Sequence, residues 1–296
     1  MRRRRKRLSK KERKLLLIVF GFIWIISFIS EHIDIISKVF MFCLSVVAIF
    51  WLLYIFAKHN KLLPQHINEK IINFIDFINP FFRKQRAYKK TEYYNQTHIP
   101  YKILKSDTGK LGEYEIFNTL FSYNDTMRFL FNCYVPKGDG STTEIDVIMI
   151  HNSGIYVFES KNYSGWIFGN ENQEEWTQTL VGGGSRSQKN HFFNPIMQNN
   201  LHIKHLSKLL NDENIKYHSY IVFGKNCELK DVNIYSQKHH VLSINDLLLD
   251  VSKQFVSYEN NLSSEQIDAI YTKLYSFTQV SQETKDKHIE DIINNH

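Results

Sequence analysis

Apolar positions fall into three regimes along the chain. The first is nearly continuous: Leu15–Ile29 and Val39–Ala57 are uncharged apolar runs of 15 and 19 residues. Roughly 20 helical residues cross a bilayer core, so the pattern predicts a two-helix transmembrane hairpin over residues 15–57. The second run is long enough alone, and the first gains length by tilting, bilayer thinning or use of Ser30–Ile36. A basic start before an apolar core is also the pattern of a cleaved signal peptide, but no small-x-small site follows and a second run comes at once. In the second regime, Leu62–Arg86, apolar residues recur with helical spacing at Ile67, Ile71, Phe74, Ile75, Ile78 and Phe82, with Pro80 near the end. Such a helix either lies in a membrane interface with Arg83, Lys84 and Arg86 toward headgroups, or packs on the following domain; both readings stay open. Lys89–Pro100 is polar and reads as a linker.

The third regime changes period repeatedly, as an α/β domain does. Gly109–Glu113 opens an amphipathic helix that turns Leu111, Ile116, Leu120 and Phe117 toward a core. Glu113 stands one turn in, where a solvated carboxylate favours the helix dipole or one aimed past the apolar face joins a site. Phe129–Val135 reads as a strand, Pro136–Ser141 as a turn, and Asn162–Gly169 and Glu174–Leu180 as further strands. Gly182–Ser187 is a flexible loop without the lysine-serine ending of a phosphate cradle. Asn194 and Pro195 are the N-cap and first residue of a helix with Leu206, Leu209 and Leu210 on its buried side. Gln198, His202 and His205 share another face; the histidines suit zinc in spacing, but without a third ligand they read as a polar surface stripe. His218–Phe223 is a strand, and Val241–Leu249 a strand running into a short helix. A capping box, Ser263 to Gln266, opens a last helix to about Phe277, and the polar tail after it frays.

The chain is organised around Thr142–Lys161, two runs rich in Val, Ile, Tyr and Phe on either side of His151-Asn152-Ser153-Gly154. A turn centred on Asn152-Ser153 sets opposite each other the residues whose numbers sum to 305, which pairs Asp146 with Glu159 and Glu144 with Lys161. All four then crowd one end of one face. Ile148, Ile150, Ile155 and Val157 continue that face, and the other is almost wholly apolar, so the hairpin is central and covered on both sides. Three carboxylates and a lysine there are costly to desolvate unless compensated. A hard divalent cation would compensate them; so would two cross-strand ion pairs at a wet sheet end, and the hairpin alone does not decide.

The formal charge of +7 is concentrated at the start: residues 2–14 hold ten Lys or Arg against Glu12, a net +9 that leaves −2 for the rest. The remainder is no generally basic nucleic-acid binder, and any nucleic-acid contact is local. Lys58 and Lys61 follow the second apolar run, whereas the loop between the runs has Glu31, Asp34 and only Lys38. The positive-inside rule then predicts both termini and the domain in the cytoplasm. Cys43, Cys133 and Cys227 have no metal-ligand spacing and read as free thiols. The expected organisation is a basic tail (1–14), the membrane hairpin (15–57), a juxtamembrane helix and linker (58–100), the main domain (101–280) and a polar tail (281–296).

The ordered blocks GKLGEYEIFNTL, TEIDVIMIHNSGIYVFESKNYSGWIFG and NPIMQNNLHIKHL resemble the nuclease-related domain (NERD) family, within the PD-(D/E)XK nuclease-like superfamily. The resemblance covers about Gly109 to Leu210 and continues more weakly through the strand at Tyr220. It implies an α/β core around a mixed sheet flanked by helices. It also implies Asp146, Glu159 and Lys161 as the D…ExK triad, Glu113 as the first helix's carboxylate and Gln198 as a residue supporting the site or touching substrate. Ile145 stands where many superfamily members have proline. The implied activity is phosphodiester hydrolysis, with DNA ahead of RNA, using Mg²⁺ or Mn²⁺ held by Asp146, Glu159 and Glu113. The alternative is a catalytically silent module that binds nucleic acid or a partner protein. A purely structural protein with ion-paired hairpin charges is the third reading.

Overall fold

In the computed structural model, residues 35, 37–51, 54–55, 65–121, 127–181, 187–258 and 261–294 are described, and the chain divides into two units, residues 1–82 and 83–296. In the first unit residues 37–51 are helical. Among the described residues no helix is long and apolar enough to cross a membrane. The expected two-span hairpin, and with it the multi-pass placement with both termini cytoplasmic, is corrected on that finding. Residues 2–14 and Leu15–Ile29 lie outside the described residues. The helical period of Leu62–Arg86 forms two helices, α1 (Gln65–Ile78) and α2 (Pro80–Tyr88). They break at Asn79 because Pro80 has no N–H to continue the first and fits the start of the second.

In the second unit the stretch expected as a linker contains α3 (Glu92–Thr97), capped by the Thr91 hydroxyl, and leads into α4 (Tyr101–Ser106). Its tyrosines make it look polar, but Tyr88, Tyr93 and Tyr101 bury their rings. The Tyr88 hydroxyl donates to the Ile99 carbonyl at 2.8 Å, so the polar tip is satisfied. Next comes α5 (Thr108–Phe121), which buries Gly112, Glu113, Ile116, Phe117 and Leu120.

The strands that follow are β1 (Arg128–Pro136), β2 (Thr142–His151) and β3 (Gly154–Lys161), an antiparallel meander. The hairpin takes the expected register: Val147 lies opposite Phe158, Ile148 opposite Val157 and Ile150 opposite Ile155. The ladder ends at Val147 and Phe158, just before Asp146 and Glu159. On the other side of β2, Asn132 takes φ 51 inside β1, the left-handed region that Asn tolerates better than most residues. Pairing resumes on either side of it, Phe131 with Val147 and Cys133 with Ile145, but the faces exchange. Phe131 and Val147 belong to the core under α5, whereas Cys133 and Ile145 belong to the core on the opposite face.

Past β3 come β4 (Gly165–Asn170), β5 (Glu175–Val181) and β6 (Ser187–Phe193), then α6 (Pro195–Leu210), β7 (Tyr217–Phe223), β8 (Cys227–Asn233) and β9 (His239–Ser243). The central sheet has the order β1-β2-β3-β7-β9, antiparallel on one side of β3 and parallel on the other. Helix α5 and α7 (Leu247–Ser257) cover one face with Ile116, Phe117, Val251 and Phe255. Helix α6 and α8 (Ser264–Tyr275) cover the other with Leu206, Ile267 and Leu274. This is the mixed sheet flanked by helices that the resemblance implies. A second sheet, β6-β5-β4-β8, lies outside it. Asn194, the fully buried N-cap of α6, accepts from the Ile196 amide and donates to the carbonyls of Asn170, Glu171 and Gln173. The expected fraying tail forms α9 (Gln282–Asn294), whose His288 is buried beside Thr142.

Candidate active site

The five residues singled out in the sequence, Glu113, Asp146, Glu159, Lys161 and Gln198, gather at the open end of the β2–β3 hairpin. Helix α5 comes close because Gly112 has no side chain: a Cβ there would sit 2.4 Å from Ser160 Oγ and 3.1 Å from Asn162 Cβ. That approach turns Glu113 into the sheet end, where it is 8% exposed and accepts from the Tyr93 hydroxyl at 2.9 Å. Asn132, by its left-handed backbone, brings its Nδ2 within 3.4 Å of the same Glu113 oxygen. Asp146 is half-buried, and its Oδ2 accepts the Ser160 amide at 2.9 Å across the splayed hairpin. Glu159, 2% exposed, meets Lys161 Nζ at 2.7 Å through Oε1. Lys161 also donates to Gln198 Oε1 at 3.1 Å.

Two sequence expectations change here. Glu144 does not pair with Lys161, because the ladder stops short of them; it lies 3.8 Å from His288 Nε2. His202 is not part of a surface stripe. It is 5% exposed, with Nε2 3.2 Å from Glu159 Oε2 and Nδ1 2.7 Å from Thr143 Oγ1. Its spacing from Gln198 was visible in the sequence, but the hydrophobic pattern of α6 marked only its leucines as buried. Tyr93, Asn132 and Thr143 carried no local signal, since each reaches the site through tertiary packing.

Burial and charge set the protonation of the cluster. Burial drives the Asp146 carboxyl well above its usual range, and repulsion from Glu159 and Glu113 adds to it against the Ser160 amide. Burial likewise raises Glu113 to about 7, opposed by the Tyr93 hydrogen bond and assisted by Glu144. Glu159 is also penalised by burial, but Lys161 and His202 outweigh this and hold it below the ordinary carboxylate value. Lys161 is raised in turn, because attraction to Glu159 overcomes its own desolvation. The site therefore contains one compensated ion pair and two carboxyls that lack a full counter-charge.

The donor set fits a hard divalent cation. Glu113 and Asp146 each engage one carboxylate oxygen with the protein among the described residues, Oε2 and Oδ2. Mg²⁺ is commonly held by one or two carboxylates with waters and substrate phosphate completing the shell. Among the described residues no group of three His, Cys, Asp or Glu forms a ready metal cage. A cleft of about 450 Å³ opens beside the site, lined among others by Lys110, Asn132, Tyr134, Glu144, Gln279 and Lys285. This is within the size range of small-ligand pockets, and its walls set cations and amides beside the apolar Ile99, Phe131 and Val280.

Comparison with known proteins identifies a nuclease-related domain over residues 108–224, the stretch from the start of α5 through the end of β7. The chain is 34% identical over 189 residues to an uncharacterized protein of Bacillus anthracis, covering 63% of this chain and 84% of that protein. No solved structure matches.

Proposed function

We propose that this chain, which belongs to the nuclease-related domain family, is a metal-dependent nuclease that hydrolyses phosphodiester bonds, with DNA its first substrate class. The observation that supports this most is the pairing of two under-compensated carboxyls, Asp146 and Glu113, with a buried lysine at one sheet end. Asp146 and Glu113 would hold Mg²⁺ or Mn²⁺, with Glu159, whose two oxygens meet Lys161 and His202, contributing only through a remaining lone pair; the ion supplies Lewis-acid charge to the phosphoryl oxygens when bound. Lys161 Nζ, fixed between Glu159 Oε1 and Gln198 Oε1, orients the attacking water and stabilises the charge that grows on the phosphate. Lys110 and Lys285, lining the adjacent cleft, contact flanking phosphates as point charges.

A second reading, a silent module that binds nucleic acid or a partner protein, draws on the closed Glu159–Lys161 pair and on the absence of a three-ligand cage among the described residues. The full chain and Asp146→Ala separate the two. The nuclease reading requires cleavage of DNA or RNA by the wild type with Mg²⁺ or Mn²⁺, its loss with chelator and its loss in the variant. It also requires the cation to raise the melting temperature of the wild type alone, since only binding to the native state shifts unfolding. Identical melting responses with no cleavage by either protein would leave the silent module.

A further inference from the structure

Helix α6 grips the Glu159–Lys161 pair at both ends. Gln198 and His202 stand four residues apart, one helical turn, and so project from the same side of α6. Gln198 takes the lysine at 3.1 Å and His202 takes the far oxygen of the glutamate at 3.2 Å. Behind His202, Thr143 Oγ1 lies 2.7 Å from Nδ1, itself 7% exposed on β2. The proton at Nε2 follows from its partner. An ionised carboxylate only accepts, so His202 Nε2 carries the proton of that contact, and the Thr143 hydroxyl, which can donate or accept, meets Nδ1 on the other side of the ring. The result is a chain of contacts, Thr143 to His202 to Glu159 to Lys161 to Gln198, running from β2 across α6 and β3 and back to α6.

We infer that His202, oriented by Thr143, is a positioning residue that fixes Glu159 Oε1 on Lys161 Nζ and thereby aims the lysine at the reacting phosphate. This rests on the nuclease reading for its kinetic consequence, but the geometry it asserts does not. Without the His202 contact, Glu159 keeps only Lys161 and can turn about its side-chain torsions, carrying the ammonium with it. Burial of His202 excludes water as a replacement donor. Residues that orient a group in direct contact with the chemistry typically change activity by about 10- to 100-fold when removed.

The test compares wild type, His202→Leu and His202→Gln in the full chain, the last retaining an amide donor toward Glu159. The first readout needs no activity: the rate at which an amine-acylating reagent labels Lys161, followed by peptide mass spectrometry at constant pH. Labelling should be several-fold faster in His202→Leu and near the wild-type rate in His202→Gln. The second is kinetic: kcat should fall about 10- to 100-fold in His202→Leu with KM within about threefold, and His202→Gln should recover most of it. Unchanged labelling of Lys161 in a folded His202→Leu protein overturns the inference, as does a glutamine variant no better than leucine in both readouts. Absence of cleavage by the wild type counts against the nuclease reading instead, and the labelling result then decides the positioning role alone.

Discussion

The β2–β3 hairpin has a buried polar cluster at each end, and the two are built on opposite principles. At the turn, His151 Nδ1 lies 2.7 Å from Ser153 Oγ, which lies 2.7 Å from the Tyr156 hydroxyl, while His218 Nε2 donates to the Ser153 carbonyl at 3.2 Å. Burial pushes His151 and His218 each down to about 4, so this cluster is neutral near pH 7; His151, Ser153, Tyr156 and His218 find partners, while Asn152 Oδ1 in the same turn has none among the described residues. At the open end, burial acts on carboxyls instead, and Asp146 and Glu113 are left repelling each other. A neutral hydrogen-bonded network rigidifies a turn. An incomplete charged one, made of carboxyls, stores a preference for a cation.

The comparison is sharpest under Asp146→Asn. This change should lower cleavage by at least about 100-fold, the scale at which removal of a principal electrostatic group acts. It should leave the metal-free protein as stable as before or slightly more so, because it removes a repelling charge. Ser153→Ala should do the reverse. It strips two hydroxyl contacts from a fully buried position and should cost about 1–3 kcal/mol in urea denaturation, with cleavage kept. A loss of cleavage in Ser153→Ala without unfolding would erase the distinction.

The ends should also oppose each other in pH. An unfolded histidine titrates near 6.5, so between about 4 and 6.5 the unfolded chain binds more protons than the turn does, and this end makes stability rise with pH. Glu113, raised to about 7 from 4.5, binds more protons folded than unfolded in that range, so its contribution is present at low pH and fades as pH rises toward 7. Glu113→Gln should therefore steepen the rise of the urea midpoint between pH 4.5 and 6.5, and His218→Gln should flatten it. Equal slopes in the two variants would contradict the assigned protonation states. The smallest effect is expected at Glu144, which repels Glu113 from the rim. Glu144→Gln should lower the Glu113 titration slightly by NMR and change stability by no more than about 0.5 kcal/mol.

Local rules made much of the hairpin and its surroundings legible. The register followed from the turn residues and the period of two, the α6 start from Asn194-Pro195, and α8 from the Ser263–Gln266 box, which forms with both reciprocal bonds. The resemblance named the site residues, and the structure places all five at one sheet end. What escaped was set by distant partners. Taken alone, Glu113 stayed open between a solvated first-turn carboxylate and a site residue, because nothing nearby announces that Tyr93, 20 residues earlier, would close over it. His202 read as surface because burial by Thr143 and Glu159 leaves no trace in the period of α6. The β6 and β8 strands lack alternation strong enough to separate them from loops, since both are largely exposed. The apolar runs near the start failed in the other direction, by promising spans that the described helices do not make.

Asn194 gives the site a mechanical dependence on a part of the molecule that supplies none of its described contacts. Its amide anchors the first turn of α6 to three carbonyls of the 170–173 turn in the second sheet. Over sixteen residues α6 behaves as a stiff rod, with Gln198 and His202 mounted near that anchored end. Any tilt of the 170–173 turn must therefore move both grips together, and with them the lysine between. The aim of Lys161 thus depends on the second sheet through the one buried amide of Asn194.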